Sequence, residues 1–383
     1  MTKKVVIVED DFIIQELHKH YIENLGHEVV GCFTSGEEAI EYFSNNTADL
    51  ILMDIRLESS TDGIETMRKI NETQIIPVAY ITGNTEELNL KRALNTGMKG
   101  FYSKPIKPKD LEDILDSIND LNESILYAER IQKAIFPQKL EIHRLFHHSI
   151  YINRPKDVIS GDFCVLVPKK GSNHIIGGVG DCTGHGVPAA LLSVLCHEII
   201  TSNSKKYEDL RKIIFKLNES IIQNLSKLNK ADSVSDGLDL VIFKINPEQK
   251  TIDLAGINRP FIHFDAKEKK HTYIKLKGKA IGQPYDGDEE IPLLSFEYSD
   301  GDYFYFFSDG ITDQFGGSES KKLMKGRLLD FLESTVKMPA EVRELEFELF
   351  LRKWQGNNKQ TDDMIFVGIC PSEINTDYLN YIA

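Results

Sequence analysis

The stretch GDCTGHGVPAAL, Gly180–Leu191, follows the apolar run IIGGV (175–179) and opens the apolar segment AALLSVLCHEII (189–200). A strand ending near Asp181, a glycine-rich turn and a helix are predicted. Glycine lets the backbone turn sharply and approach a ligand closely. Pro188 suits the first helical turn, where a missing N–H costs nothing. Asp181 therefore stands at a strand end beside a helix N-terminus, a place that favours anions. A carboxylate there makes chemical sense with a hard cation between the two. The same residues also build an ordinary Asp/Gly turn.

Further acids sit in comparable places. Asp162 lies in VISGDF, Asp309 in YFYFFSDGITD, and Asp362 with Asp363 in QTDDMIFVGIC, each at the end of an extended run. Together with AERIQKAIFP (128–137) and AGINRP (255–260), in this order, these motifs resemble the stage II sporulation protein E type of serine/threonine phosphatase, the bacterial branch of the 2C-type enzymes. The resemblance covers roughly residues 125–370. It implies an α+β sandwich of two sheets flanked by helices, and two Mn²⁺ or Mg²⁺ ions. By the same resemblance Asp181 bridges the metals, helped by the Cys182 carbonyl. Asp309 and Asp362 complete the second metal, and Asp162 acts through the first metal and its waters. Asp363 orients the site, and which of Asp362 and Asp363 is the direct ligand stays open. A water activated by the metals attacks phosphorus in line, without a phosphoenzyme. His185 is either a general acid or a loop hydrogen-bonding group. Lys156 and Arg259 are candidate phosphate-binding cations, or solvated surface charges. The chain departs from the family at Val165 and Ile257, where an acid and a histidine are usual.

The 383 residues allow two or three domains. A formal charge of −14 disfavours nonspecific nucleic-acid binding. The apolar runs fall short of the ~20 residues that span a bilayer. Nothing reads as a signal peptide, and the five cysteines show no CxxC spacing. A cytoplasmic protein without membrane insertion is expected.

Residues 1–120 alternate the runs VVIV, EVVGCF, DLILMD, VAYIT and GFYSKP with amphipathic stretches, which predicts a five-stranded parallel sheet covered by helices. Ligand sites in such sheets lie beyond the carboxyl ends of the strands. Glu9, Asp10, Asp54, Thr82 and Lys104 all fall there. This set resembles the flavodoxin-like receiver domain of two-component response regulators. The resemblance implies Asp54 as phosphoacceptor, and Mg²⁺ held by Glu9, Asp10, Asp54 and the Arg56 carbonyl. It also implies Lys104 on the phosphoryl oxygens and Thr82 and Phe101 as switch residues. Asp62-Gly63 resembles the turn that follows the acceptor, and Pro105 the family's cis proline.

Between the domains, residues 121–140 read as a helical linker. Ile114, Ile118, Leu121, Ile125, Ala128, Gln132 and Ile135 alternate by four and three, the spacing of a coiled coil that would make a homodimer. Alternatively the helix packs on its own phosphatase domain through Ile131 and Phe136. Residues 141–371 read as the phosphatase domain, with helices at 188–202 and 207–229 and more helix within 316–361. Residues 372–383 read as a tail. The expected function is a phosphorelay-controlled phosphatase. A sensor histidine kinase is its input, and a phosphorylated anti-sigma factor antagonist is its substrate by resemblance. The competing reading is a phosphorylation-gated scaffold with an inactive phosphatase fold. A kinase is excluded by the absence of a nucleotide-binding glycine loop with its lysine.

Overall fold

Strands that are apolar on both faces need helices on both sides, and the first 125 residues follow that rule. The computed structural model describes residues 2–57, 61–74, 76–83, 92, 96, 98–169, 172–225 and 237–382. Two compact units emerge, residues 1–125 and 126–383. In the first, β1 (Lys4–Val8), β2 (Glu28–Phe33), β3 (Leu50–Asp54), β4 (Val78–Thr82) and β5 (Met98–Ser103) form a sheet in the order β2-β1-β3-β4-β5. All its pairings are parallel. Helices α1 (Phe12–Asn24), α2 (Gly36–Phe43) and α3 (Gly63–Asn71) belong to this unit. Val6, Val8, Ile51 and Met53 pack on one face of the sheet, and Val5, Ile7, Leu50 and Leu52 on the other. The predicted helical stretch between β4 and β5 falls mostly outside the described residues.

Helix α4 runs Pro108–Ile135. Its expected seven-position seam is corrected by what the seam residues touch. Ile114 and Ile118 are buried in the core of the first unit. Gln132 and Phe136 are buried in the second unit, and Ile135 packs on its core. The Leu121 side chain lies outside the described residues. Four of the seven positions thus already serve intrachain cores, and Ile131, an expected contact, is 44% exposed.

In the second unit α5 (Lys139–Leu145), β6 (Ile150–Arg154), β7 (Asp162–Pro168), β8 (Ile175–Cys182), α6 (Val187–Lys206) and α7 (Leu210–Leu225) come first. The predicted end of the second helix, 226–229, lies outside the described residues. Strands β9 (Leu238–Asn246), β10 (Thr251–Ile257), β11 (Pro260–Asp265), β12 (Lys270–Lys275), β13 (Leu293–Glu297) and β14 (Tyr303–Phe307) follow. The chain ends with α8 (Asp309–Asp313), β15 (Phe315–Gly316), β16 (Lys321–Lys322), α9 (Met324–Thr335), α10 (Ala340–Gln355), β17 (Met364–Ile369) and α11 (Thr376–Ile382). The residues read as a tail include α11, whose Leu379 is fully buried.

Two antiparallel sheets result, β13-β10-β9-β8-β7 and β12-β11-β14-β17-β6. Their facing side chains, among them Val179, Val241, Phe243, Phe306 and Val367, form one core, with Phe243 stacked on Phe306 at 4.9 Å. Helices α6 and α7 cover the first sheet through Cys196, Ile200, Ile213 and Leu217. Helices α9 and α10 cover the second through Leu328, Leu332, Phe347 and Leu351. Each such side chain contributes roughly 1.5–3 kcal/mol by leaving water. Strands β12 and β13 escaped the sequence reading because polar and charged residues interrupt their apolar positions, and no residue of either is fully buried. The chain's one tryptophan, Trp354 of α10, donates its indole N–H to the Gln314 carbonyl at 3.0 Å.

Candidate active sites

In the first unit, parallel pairing brings the carboxyl ends of β1 and β3 side by side. Carboxylate oxygens of Glu9, Asp10 and Asp54 lie within 4.8 Å of one another, the one such group of three among the described residues. Lys104 Nζ donates to Glu9 Oε1 at 2.6 Å and also to Asp54. Burial raises the Glu9 pKa even though Lys104 opposes it. Burial works against the Lys104 charge too, but its bonds to Asp54 and Glu9 prevail and raise its pKa. The Arg56 amide donates to Asp54 Oδ1 at 3.1 Å. Thr82 is buried at the end of β4, and half-buried Phe101 stacks on Tyr80 at 5.4 Å. Lys104-Pro105 is cis. The Asp62 side chain caps α3 by accepting from the Glu65 amide.

In the second unit the site follows from strand register. Asp162 of β7 pairs with Asp181 of β8, and Asp181 pairs with Asp239 of β9. Directly opposed residues share a face of the sheet, so three carboxylates stand in a row where like charges repel. Asp239 was missed by the sequence reading. Its one signal is a carboxylate opening an otherwise apolar strand, LDLVIF.

The other sheet supplies Asp309 and Asp362. Strands β14 and β17 pair from Phe304↔Ile369 to Phe307↔Phe366, which puts SDG and DD at the same end. Gly310 has to be glycine: a Cβ there would sit 1.9 Å from the Asp363 carbonyl oxygen. Gly161 is similarly pressed, its Cβ position lying 2.9 Å from Ala189 Cβ and 3.4 Å from Asp363 Oδ2. Both Asp363 oxygens accept from backbone, Oδ1 from Lys156 N and Oδ2 from Gly161 N, each at 2.7 Å. Asp363 is thus committed to holding the loop before β7. Asp362 accepts from the Asp363 amide at 2.9 Å and is otherwise half-buried.

Arg259 relieves the electrostatics of this cluster only in part. Burial, then repulsion from Asp181, pushes the Asp162 carboxyl well above its ordinary range, and Asp162 Oδ2 is buried without a partner. Burial pushes Asp181 up to about 7 despite Arg259, with Asp309, Asp362 and Asp239 adding to the rise. Asp362 is raised by burial as well. Oxygen donors of this kind, with Asp162 and Asp181 buried, Asp309 and Asp362 more open and one oxygen orphaned, suit a hard divalent cation. Mg²⁺ or Mn²⁺ fits them.

Arg259 is neither solvated nor at the surface, contrary to one of the two expectations for it. It is buried, and its Nη2 donates to Asp181 Oδ2 at 2.5 Å. Lys156 gives Asp363 its backbone amide, and its charge partly offsets the cost of ionising Asp362. Cys182 is buried at the end of β8. His185 Nδ1 lies 3.1 Å from Asp157 Oδ2 in an exposed pair, in line with the loop hydrogen bond weighed for it. Gln132 of α4 reaches the loop before Asp162: its Nε2 donates to the Ser160 carbonyl and to Ser193 Oγ, and the Ser160 amide donates to its Oε1. The seam role expected of Gln132 is thereby replaced by a contact within its own chain.

Comparisons with known proteins follow this division. The family described as stage II sporulation protein E (SpoIIE) matches residues 171–371, and that described as response regulator receiver domain matches residues 5–116. The chain is 33% identical over 151 residues to the transcriptional regulatory protein CrdR of Helicobacter pylori, covering 36% of this chain and 70% of that protein. It is 30% identical to the regulatory protein VanRc of Enterococcus gallinarum, over 29% of this chain, and spans 47% of that protein's length. Its fold is similar to the SiaA-PP2C domain of Pseudomonas aeruginosa (TM-score 0.58, 24% identity, 66% of this chain and 98% of that one). Among the described residues no helix is long and apolar enough to cross a membrane. A response regulator receiver domain followed by a PP2C fold, with acids gathered from four of the motifs, leads to one conclusion: the chain belongs to the stage II sporulation protein E family of metal-dependent serine/threonine phosphatases.

Proposed function

We propose that the chain is a phosphorelay-controlled phosphatase that removes phosphate from serine or threonine of a partner protein. The observation that carries this reading is the gathering of Asp162, Asp181, Asp309 and Asp362 from separate strand ends, with Asp162 and Asp181 desolvated and Asp309 and Asp362 more open to solvent. In this reading Asp181, Asp309 and Asp362 hold two Mn²⁺ or Mg²⁺ ions, with the Cys182 carbonyl, and Asp162 orders their waters. Asp363 keeps the Ser160–Asp162 loop in place through its two backbone hydrogen bonds. The metals supply a water of lowered pKa and positive charge for the phosphoryl oxygens. Arg259 and Lys156 supply the protein's own positive charge beside the cluster.

The input is a sensor histidine kinase that phosphorylates Asp54, with Mg²⁺ held by Glu9, Asp10, Asp54 and the Arg56 carbonyl. Lys104 neutralises the phosphoryl oxygens, while Thr82 and Phe101 respond to them. The Gln132 contact with Ser160 supports α4 as the element through which the signal reaches the metal loop. A phosphorylated anti-sigma factor antagonist in the cytoplasm is the substrate proposed from the family resemblance. If two copies pair through α4, the half-buried seam residues Ile125 and Ala128 and the exposed Leu126, Tyr127 and Ile131 are the apolar residues left for it.

The test is release of phosphate from candidate phosphoproteins by the full chain in Mn²⁺, with and without beryllofluoride. Turnover that responds to beryllofluoride supports the reading. A folded, metal-loaded protein that binds these phosphoproteins without hydrolysing them would favour the scaffold instead.

A further inference from the structure

Arg259 sits on a tight turn, with Asn258 at φ 58° and the Arg259 amide donating to the Ile257 carbonyl at 2.7 Å. The turn drives the guanidinium into the acidic cluster, where the residue is 3% exposed. Nη2 donates to Asp181 Oδ2 at 2.5 Å and lies 3.5 Å from Asp239 Oδ2; Nη1 lies 3.8 Å from Asp309 Oδ2. Nε is buried without a partner. The guanidinium therefore stands among the very oxygens that a divalent cation would use.

Both cannot use the same oxygen of Asp181 without strong repulsion, because a unit charge and a divalent charge a few Å apart repel in a desolvated site. Asp239 offers the way out. Register sets it directly across from Asp181, and at 37% side-chain exposure it is better hydrated. It lies outside every acidic motif of the sequence.

We propose that Arg259 is an internal counter-cation that holds Asp181 while the site is empty of metal and passes to Asp239 when Mn²⁺ or Mg²⁺ enters. Asp239 is then a positioning residue whose task is to receive the guanidinium, and the pair sets how tightly the site takes metal. The inference rests on the reading of Asp181 as a metal ligand.

Mn²⁺ binding to the full chain, followed by calorimetry, tests it. An Asp10→Asn background removes a receiver ligand so that the heat reports the second domain. Arg259→Gln is expected to tighten Mn²⁺ about tenfold, the effect of removing roughly one pKa unit's worth of competing charge. Asp239→Asn is expected to weaken it by a similar factor. That weakening should shrink several-fold when Arg259 is already Gln, because the receiving role is then gone. A merely structural pair would not produce this coupling. If Arg259→Gln lacks a native circular dichroism spectrum, the same cycle is run with Arg259→Lys, whose ammonium lacks the fork needed to bridge two carboxylates. Mn²⁺ affinity indifferent to Arg259, or an Asp239→Asn effect equal in both backgrounds, overturns the handover. No Mn²⁺ bound by the second domain at all overturns the metal-ligand reading together with it.

Discussion

Gln132 Nε2 donates to the Ser160 carbonyl at 2.7 Å, and the Ser160 amide donates back to Gln132 Oε1 at 3.0 Å. One side chain at the end of a 28-residue helix thereby satisfies both backbone groups of a residue two positions before Asp162. Gln132→Ala leaves the Ser160 amide buried and unpaired, while its carbonyl keeps the Ser193 hydroxyl at 3.0 Å, at a cost of about 1–3 kcal/mol. Urea unfolding should show this loss, and phosphatase turnover should fall while Asp54 still accepts phosphate. Turnover equal to wild type would reduce the contact to a structural clip.

Asp181→Asn and Asp309→Asn should each lower Mn²⁺-dependent hydrolysis of an aryl phosphate by about a hundredfold or more, the scale of losing a charge-stabilising group. Neither change opens the core, so circular dichroism should stay native. A folded variant with full turnover would remove that residue from the metal set.

Asp54→Asn should abolish labelling by acetyl phosphate and any response of the phosphatase to beryllofluoride. Mass spectrometry of the intact chain checks the first, and phosphate release the second. Asn retains the shape of the site but removes the nucleophilic oxygen beside Lys104.

His197 is packed between Phe136 and Phe163, and burial lowers its pKa to about 4. The ring is neutral in the fold, so the unfolded chain binds more protons below its ordinary pKa near 6.5. The stability it contributes is complete above pH 6.5 and is lost as pH falls toward 4, at about 1.4 kcal/mol per pH unit. His197→Phe should therefore lose about 2 kcal/mol less than wild type between pH 7 and pH 5. Denaturant midpoints at the two pH values measure it, and equal losses would show that His197 keeps an ordinary pKa.

The acids of the motifs were legible because each stands at one end or the other of an apolar run, and strand ends are where a β scaffold exposes side chains. The two-sheet architecture was legible for the same reason, from runs such as YFYFF and MIFVGI. Asp239 was not, since nothing in LDLVIF says which strand will lie beside it. Only the pairing of Asp181 with Asp239 reveals the row. Arg259 was ambiguous because a sequence carries no burial. Gln132 was misplaced because a heptad position looks the same whether it faces a second helix or a loop of its own domain. The α10 segment read plainly as helix, but not that its Arg343 would be buried against the Tyr303 hydroxyl.

Trp354 has an optical consequence. Its indole is tied to Gln314, whose side-chain amide donates to the Lys359 carbonyl and accepts from the Thr361 amide, next to Asp362. Arg327 lies over the ring at 4.6 Å. With no other indole in the chain, emission excited at the red edge comes from this one bridge between the SDG and DD motifs. The protein thus carries its own fluorophore a few residues from the acids that are proposed to take metal.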